Sequence, residues 1–349
     1  MINFELLEEI CRLPGAPGHE SKIRSFIKSE VVSYADSTTV DNLGNLIAFR
    51  KGISPKKLLI AAHMDEIALI VTHIDEEGFV RFHTLGGFDA KTLTAQRVII
   101  HGTEDVVGVL GTKPIHVMTA EEKVKPLKTT DYFIDTGMPK SEVIKLIEIG
   151  NVITRERSLI KMGQCLNSKS LDNRISVYIL LETLKQLKSI ELPLDVYGVF
   201  TVQEEVGLRG ATTASSGINP DFGIGLDVTL ACDVPAIPKH EVVTKLGHGT
   251  AIKVMDSSAI CDYRMVAFMK EVANNNSIKY QLEVLQAGGT DTGSIQRATL
   301  GGAIAGAISI PTRYLHQVIE MVHVDDVQST IDLLKACIMN IAYYNWDID

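Results

Sequence analysis

The spacing of apolar residues predicts helices and strands near the start of the chain. Apolar positions three or four residues apart predict one helix over residues 4–13 and a second over about 23–31. The segment VDNLGNLIAFR at 40–50 predicts a β-hairpin, because two short runs flank a turn rich in Asn and Gly. The next segment, KKLLIAAHMDE, is apolar without alternation, which predicts a buried strand with His63 and Asp65 at its carboxyl end.

The pattern changes between residues 66 and 160. Short alternating runs, such as QRVIIHGTEDVVGVLG, are separated by turn residues, which predicts several short strands. One short helix is predicted at about 140–147. We therefore expect a small β-rich domain over 66–160, inserted into a larger domain that is formed by residues 1–65 and 161–349.

Strands and helices alternate again after residue 160. A helix is predicted to open after Asp172, and others are predicted at about 262–274 and 325–344. The intervening apolar runs DVYGVFT, DFGIGLDVT and GGAIAGAISI predict strands. This alternation is typical of an α/β fold, with a mixed central sheet that is flanked by helices on both faces.

Composition indicates which partners the protein has and in which cellular compartment it occurs. The formal net charge is −9, which argues against nucleic acid as the main partner, because phosphate binding needs a basic surface. The longest apolar runs are far shorter than the ~18 residues that span a membrane. The first residues carry acids within their apolar pattern, unlike a signal peptide. The cysteines, 5 in number, show no CxxC spacing. We expect a cytoplasmic protein with no membrane and no nucleic acid partner.

Polar residues with metal-binding side chains follow the predicted strands. They lie at or just beyond predicted carboxyl ends, and they are His63, Asp65, Glu204, Glu205, Asp227, Asp291 and His316. Asp172 lies at a predicted helix start. Ligands of open α/β sheets bind at the carboxyl ends of strands. Imidazoles and carboxylates together there indicate a binuclear site for zinc, cobalt or manganese, with one carboxylate shared by the two ions.

Each of these residues also has a simpler explanation when it is taken alone. His63 would be a histidine packed in the core, Asp172 the N-cap of the helix that follows it, and Asp227 a loop acid. The adjacent acids Glu204 and Glu205 at the end of an apolar strand need compensation by solvent, a salt bridge or a metal. His248 lies in a Gly-rich turn, where it would border the site.

Motifs along nearly the whole chain carry a family resemblance. They are AHMDEIAL at 61–68, KSLDNR at 169–174, TVQEEVGLRGA at 201–211, GLDV at 225–228, GGTDTG at 288–293 and TRYLH at 312–316. In this order and spacing, they make the chain resemble the M42 family of metallo-aminopeptidases, the relatives of tetrahedral and glutamyl aminopeptidases. The predicted insert resembles the dimerisation domain of that family, through YFIDTG and the GNVITR run at 150–155.

The resemblance implies roles for residues at matching positions. Two divalent ions, zinc or cobalt with manganese as an alternative, would share Asp172: His63, Asp172 and Asp227 would bind one ion, and Asp172, Glu205 and His316 the other. Glu204 would be the general base, and Asp65 would orient His63.

The resemblance also implies a function and an assembly. The chain would release N-terminal residues from short peptides, as a homo-oligomer built from dimers, and relatives often form dodecameric shells. A metal-dependent amidohydrolase or deacetylase on the same fold is the main alternative, and a non-catalytic shell subunit is another. A glycosidase is disfavoured, because its carboxylates must flank one bond roughly 5–9.5 Å apart, whereas Glu204 and Glu205 are adjacent.

Overall fold

A computed structural model of the chain describes residues 2–348. The helices are α1 Phe4–Arg12, α2 Ser21–Val31, α3 Ala120–Val124, α4 Lys140–Leu146, α5 Leu171–Leu187, α6 Arg209–Ile218, α7 Tyr263–Asn275, α8 Asp291–Arg297 and α9 Val324–Asn340. The strands are β1 Ser37–Val40, β2 Leu46–Arg50, β3 Lys57–His63, β4 Ala68–Ile74, β5 Val80–Leu85, β6 Arg97–His101, β7 Asp105–Gly111, β8 Phe133–Asp135, β9 Val152–Arg155, β10 Ile160–Met162, β11 Cys165–Ser168, β12 Asp195–Thr201, β13 Phe222–Leu230, β14 Thr250–Met255, β15 Tyr280–Val284, β16 Ile304–Arg313 and β17 Glu320–His323. Met1 and Asp349, the outermost residues of the predicted larger domain, lie outside the described residues.

The predicted β-hairpin forms because its turn supplies its own hydrogen bonds. β1 and β2 pair antiparallel, with Val40 opposite Leu46. Between them, one carboxylate oxygen of Asp41 accepts the backbone N–H groups of Leu43, Gly44 and Asn45 at 2.8–3.0 Å. Gly44 has φ +111°, a conformation that side chains disfavour. The turn sequence therefore fixes the position of β2, which pairs with β12.

The large sheet has parallel strands at its centre and antiparallel strands towards its edges. Its 11 strands follow the order β1-β2-β12-β3-β13-β16-β17-β11-β10, and β14 and β15 branch from β16. β12, β3, β13 and β16 are mutually parallel. Their carboxyl ends therefore meet at one edge of the sheet.

Helices cover both faces of this sheet. On β3, Leu58 and Ile60 join the main apolar cluster with residues of α1, α2, α5, α7 and α9. Leu59 and Ala61 face the other way, into a smaller cluster with residues of α6 and α8. Burial on both faces explains why this strand is apolar without alternation. These layers confirm the predicted α/β fold class. Within residues 2–348, no helix has both the length and the apolar character that crossing a membrane requires.

Six strands between Ala68 and Arg155 form a separate closed barrel. Their order is β4-β5-β8-β7-β6-β9, and pairing of β4 with β9 closes it. The barrel has a core of its own, in which alternate residues such as Val98 and Ile100 are buried. The predicted helix near 140–147 is present as α4, and α3 is an additional short helix. The insert boundaries 66–160 and its role in dimerisation stay predictions.

Candidate metal centre

The carboxyl ends of the parallel strands bring several of the predicted site residues together. His63 is the last residue of β3, and it lies opposite Thr201, the last residue of β12. Glu204 and Glu205 follow in the turn after β12. His316 lies in the loop after β16. These side chains therefore come from neighbouring segments of one sheet edge, as the sequence predicts.

The positions of Asp227 and Asp291 correct the sequence prediction. Asp227 lies inside β13, because this strand continues to pair with β16 up to Leu230 after its pairing with β3 ends at Gly225. Asp291 is the first residue of α8, where one carboxylate oxygen accepts a hydrogen bond of 2.5 Å from the Thr201 hydroxyl. The prediction of a strand end was wrong for both residues.

Asp172 stands at the entry of α5, before the regular helix begins. Asp172 and Asn173 have non-helical backbone angles, and the peptide between them is cis. The backbone N–H of Asp172 donates to a carboxylate oxygen of Glu320 at 2.9 Å. The Asn173 amide donates to the Leu226 carbonyl at 2.8 Å, which ties this entry to β13. These two hydrogen bonds hold the entry of α5 against Glu320 and β13.

The two oxygens of Asp172 face two different imidazoles. Oδ1 lies 3.2 Å from Nε2 of His63, and Oδ2 lies 3.3 Å from Nε2 of His316. The Nδ1 atoms of both rings face backbone carbonyls, of Asp65 at 3.2 Å and of Gly87 at 2.8 Å. A hydrogen bond at Nδ1 leaves Nε2 available as a ligand atom. Asp172 is therefore placed as a bridge between two nitrogen donors.

Other carboxylates complete two overlapping groups of ligand atoms. Nε2 of His63 lies 3.8 Å from oxygens of Glu204 and Asp227, and Nε2 of His316 lies 3.6 Å from Glu205. Ligand atoms within 4.8 Å of one another occur in three sets: His63, Asp172 and Asp227; Asp172, Glu205 and His316; and His63, Glu204 and Glu205.

The chemistry of this donor set fits divalent ions. Imidazole nitrogens with carboxylate oxygens suit zinc, cobalt and manganese. Oε1 of Glu205 is buried and has no hydrogen-bond partner among residues 2–348, and a bound cation would satisfy that oxygen. The residues present therefore fit a divalent metal centre.

Asp65 links the end of β3 to the turn that carries the two glutamates. Its carboxylate accepts the backbone N–H of Glu204 at 3.0 Å and that of Glu205 at 3.1 Å. The same carboxylate lies 3.5 Å from Nδ1 of His63. Asp65 thus contacts His63 both through its backbone carbonyl and through its side chain, while it fixes the adjacent turn.

Burial and mutual charge shift the pKa values of the cluster. Burial raises the pKa of Glu204 and Asp227 well above their usual range, and it raises that of Glu205 to about 8. Burial opposes protonation of His316, but the hydrogen bond with Asp172 and the charge of Glu205 raise its pKa to about 10. Divalent ions replace protons in such clusters, so this one is suited to cation binding.

Several residues at the site were not predicted as site residues, although one of them, Arg155, lies in the GNVITR run that carries part of the family resemblance. Gly87 and Arg155 belong to the barrel segment, and both contact His316: Gly87 through its carbonyl, and Arg155 by donating from Nη1 to the His316 carbonyl at 3.1 Å. A Cβ at Gly87 would lie 3.3 Å from the His316 ring, so a glycine suits this close approach. Glu320 is a third residue that was not predicted, and its carboxylate accepts the backbone N–H of Asp172. His248 is exposed and is not among the residues that line the cavity at the cluster.

Comparisons with known proteins identify the family to which this chain is similar. A family model described as M42 glutamyl aminopeptidase matches residues 44–333. A lysyl aminopeptidase from Pyrococcus furiosus is 34% identical over 343 residues, which are 96% of this chain and 96% of its own.

Solved structures of similar proteins share the whole fold. A TET aminopeptidase from a marine sediment archaeon of the Thaumarchaeota has a TM-score of 0.94 at 34% identity, covering 97% of this chain and 96% of its own. The TET1 peptidase of Pyrococcus horikoshii, described as able to assemble into a tetrahedron or a large octahedral shell, has a TM-score of 0.87 at 32% identity. That match covers 96% of this chain and 98% of the TET1 chain.

Proposed function

The chain belongs to the M42 glutamyl aminopeptidase family, and we propose that it releases N-terminal residues from short peptides with two divalent ions and Glu204 as general base. One observation carries this proposal: Asp172 directs one oxygen to each of two histidines. A carboxylate shared in this way is what a two-ion site requires.

The proposed ligands divide into two groups that share Asp172. His63, Asp172 and Asp227 would hold one ion, and Asp172, Glu205 and His316 would hold the other. When bound, such ions lower the pKa of a water molecule and stabilise negative charge on a carbonyl oxygen. Zinc, cobalt and manganese all suit these donors.

Glu204 is proposed to move the proton. Its side chain faces the cluster, with an oxygen 3.8 Å from Nε2 of His63, and burial raises its pKa well above the usual range of a carboxyl group. A raised pKa makes the carboxylate of Glu204 a stronger base towards water, and the carboxyl group that forms would then supply the proton to the leaving amine. Asp65 holds the backbone N–H of Glu204, so the base keeps its position during this transfer.

A comparison of free and N-acetylated peptides tests aminopeptidase action. We expect the metal-loaded protein to hydrolyse a short peptide with a free α-amine at least about 100-fold faster than its N-acetylated form, because the site would recognise the amine. Mass spectrometry of the cleavage products, with and without a chelator, measures the preference for a free α-amine and the dependence on metal. Equal cleavage of the two peptides would instead favour the amidohydrolase or deacetylase. Full activity in the presence of chelator would contradict the role of the metal.

Arg155 provides a test of how the barrel contributes to the proposed ligand His316. Arg155→Met removes the donor to the His316 carbonyl, so we expect affinity at one of the two ion sites to fall by about 10–100-fold. Titration with cobalt, followed by its absorption spectrum, resolves the two sites. Arg157→Met is the matched control, since Arg157 contacts Gln96 instead. Weakening of both sites equally would indicate a general loss of structure, and unchanged affinity at both would contradict the proposed contact.

Peptides as substrates and a homo-oligomeric assembly complete the proposal. The related TET1 peptidase is described as assembling into shells, which supports an oligomer of this chain as well. We propose dimers as the building block, with a dodecamer as the larger form. Location in the cytoplasm stays a prediction from the sequence.

A further inference from the structure

The cavity beside the candidate metal centre has a second wall that the proposed chemistry does not use. The cavity has a volume of about 360 Å³. Away from the proposed ligands, its lining is mainly apolar, with Leu208, Val228, Leu285 and Leu315. The same wall contains Lys253, the only lysine or arginine among the lining residues.

The Lys253 ammonium is paired with buried acids. The side chain of Lys253 is 0% exposed, and Nζ lies 2.5 Å from Oε1 of Glu283 and 3.4 Å from Oδ2 of Asp256. Burial opposes the charge of Lys253, but Glu283 holds the pKa of the lysine above its usual value. One ammonium thus faces two carboxylates, and the formal charge of these three groups is not positive.

The two threonines of this wall also donate to these acids. The Thr229 hydroxyl donates to Glu283 at 2.7 Å, and the Thr290 hydroxyl donates to Asp256 at 2.9 Å. A carboxylate in the cavity needs hydrogen-bond donors or a free cation to offset its desolvation. The donors of Thr229 and Thr290 are engaged elsewhere, and the cation is already paired.

We infer that this cavity accepts an uncharged, apolar N-terminal side chain and excludes an acidic one, with the Lys253–Glu283 pair as its specificity-determining element. This inference rests on the proposed function. An apolar side chain gains contact with the leucines of the wall. A glutamate side chain would bring a further carboxylate towards Glu283 and Asp256 without a free donor. The family model carries the name glutamyl and one relative the name lysyl, so membership alone does not fix the preference.

Hydrolysis and product binding together test the inference. We expect the metal-loaded protein to hydrolyse leucine p-nitroanilide with a kcat/KM at least about 100-fold above that for the glutamyl anilide. Calorimetry with free L-leucine and L-glutamate measures the same preference without turnover. We expect L-leucine to bind more tightly.

Variants of the Lys253–Glu283 pair show whether this pair determines the preference for an apolar side chain. Glu283→Gln removes the negative charge nearer to Lys253 and leaves Asp256 as its one paired carboxylate, so we expect the leucyl-to-glutamyl ratio to fall at least about tenfold, mainly through a lower KM for the glutamyl anilide. The double variant Lys253→Met, Glu283→Gln also removes the ammonium group. Its leucyl-to-glutamyl ratio should therefore return towards that of the unaltered protein. Glu271→Gln makes the same change at an exposed position of α7 and should leave the ratio unaltered.

The outcomes separate this inference from the proposed function. Glutamyl hydrolysis as fast as leucyl hydrolysis, or tighter binding of L-glutamate than of L-leucine, overturns the inference and leaves the aminopeptidase intact. Hydrolysis of no anilide by the metal-loaded protein overturns the proposed function, and calorimetry then still decides the preference of the cavity. If Glu283→Gln does not fold, as judged by circular dichroism, the leucyl-to-glutamyl ratio of the unaltered protein decides whether the cavity prefers an apolar side chain.

Discussion

Glu204→Gln is expected to keep its bound metal and to lose turnover by a factor of ~10² or more. The amide preserves the shape of the side chain, and the backbone N–H of residue 204 can still donate to Asp65. It cannot accept a proton from water, so the step assigned to Glu204 fails. Steady-state hydrolysis of leucine p-nitroanilide gives the loss in kcat, and elemental analysis by mass spectrometry gives the metal content per subunit.

The neighbouring glutamate supplies the control for this experiment. Glu205→Gln makes the same change one residue further along, at a side chain whose oxygen lies 3.6 Å from Nε2 of His316. Because Glu205 is proposed as a ligand, we expect this variant to lose metal as well as activity. Full activity of Glu204→Gln would show that another group is the base. Equal metal loss in both variants would contradict the division of roles between them.

Asp172→Asn is expected to weaken both ion sites and to reduce activity by a factor of ~10³ or more. An amide presents only one oxygen, whereas each carboxylate oxygen of Asp172 faces a separate histidine, at 3.2 Å for His63 and 3.3 Å for His316. The substitution therefore removes a negative charge that both ions would share. Cobalt titration gives the affinities of the two sites, and anilide hydrolysis gives the loss of activity.

Asp227→Asn is the matched control for Asp172→Asn. Of the two histidines, Asp227 approaches His63, with an oxygen 3.8 Å from Nε2, and it belongs to one of the two proposed groups of ligands. We expect this variant to weaken one site and to keep the other close to its original affinity. The bridging role is wrong if Asp172→Asn also affects a single site.

The sequence predicted those features that depend on local patterns. Unbroken apolar runs marked the parallel strands, because a strand covered by helices on both faces has no polar side. The turn of the β-hairpin was also predictable, since the Asp41 side chain accepts nearby backbone N–H groups. The strand-end rule then located His63, Glu204 and Glu205 at one edge.

Features that depend on distant contacts escaped the sequence. Asp227 was predicted to follow its strand, but pairing with β16 extends β13 beyond Asp227. The local sequence does not show how far a strand continues to pair with one neighbour after it has left the other. Contacts of the barrel with His316 join residues that are 161 and 229 positions apart in the chain. The Lys253–Glu283 pair spans 30 residues, and its members resemble ordinary surface charges in the printed sequence.

The contacts of Gly87 and Arg155 with His316 have a consequence for protein engineering. A chimera that keeps the large sheet but takes its barrel from a relative exchanges two neighbours of a proposed metal ligand at the same time. Such a graft must therefore supply a glycine that admits the His316 ring and an arginine that reaches the His316 carbonyl. Deleting the barrel to obtain a smaller enzyme would remove both supports and leave this histidine on an unsupported loop.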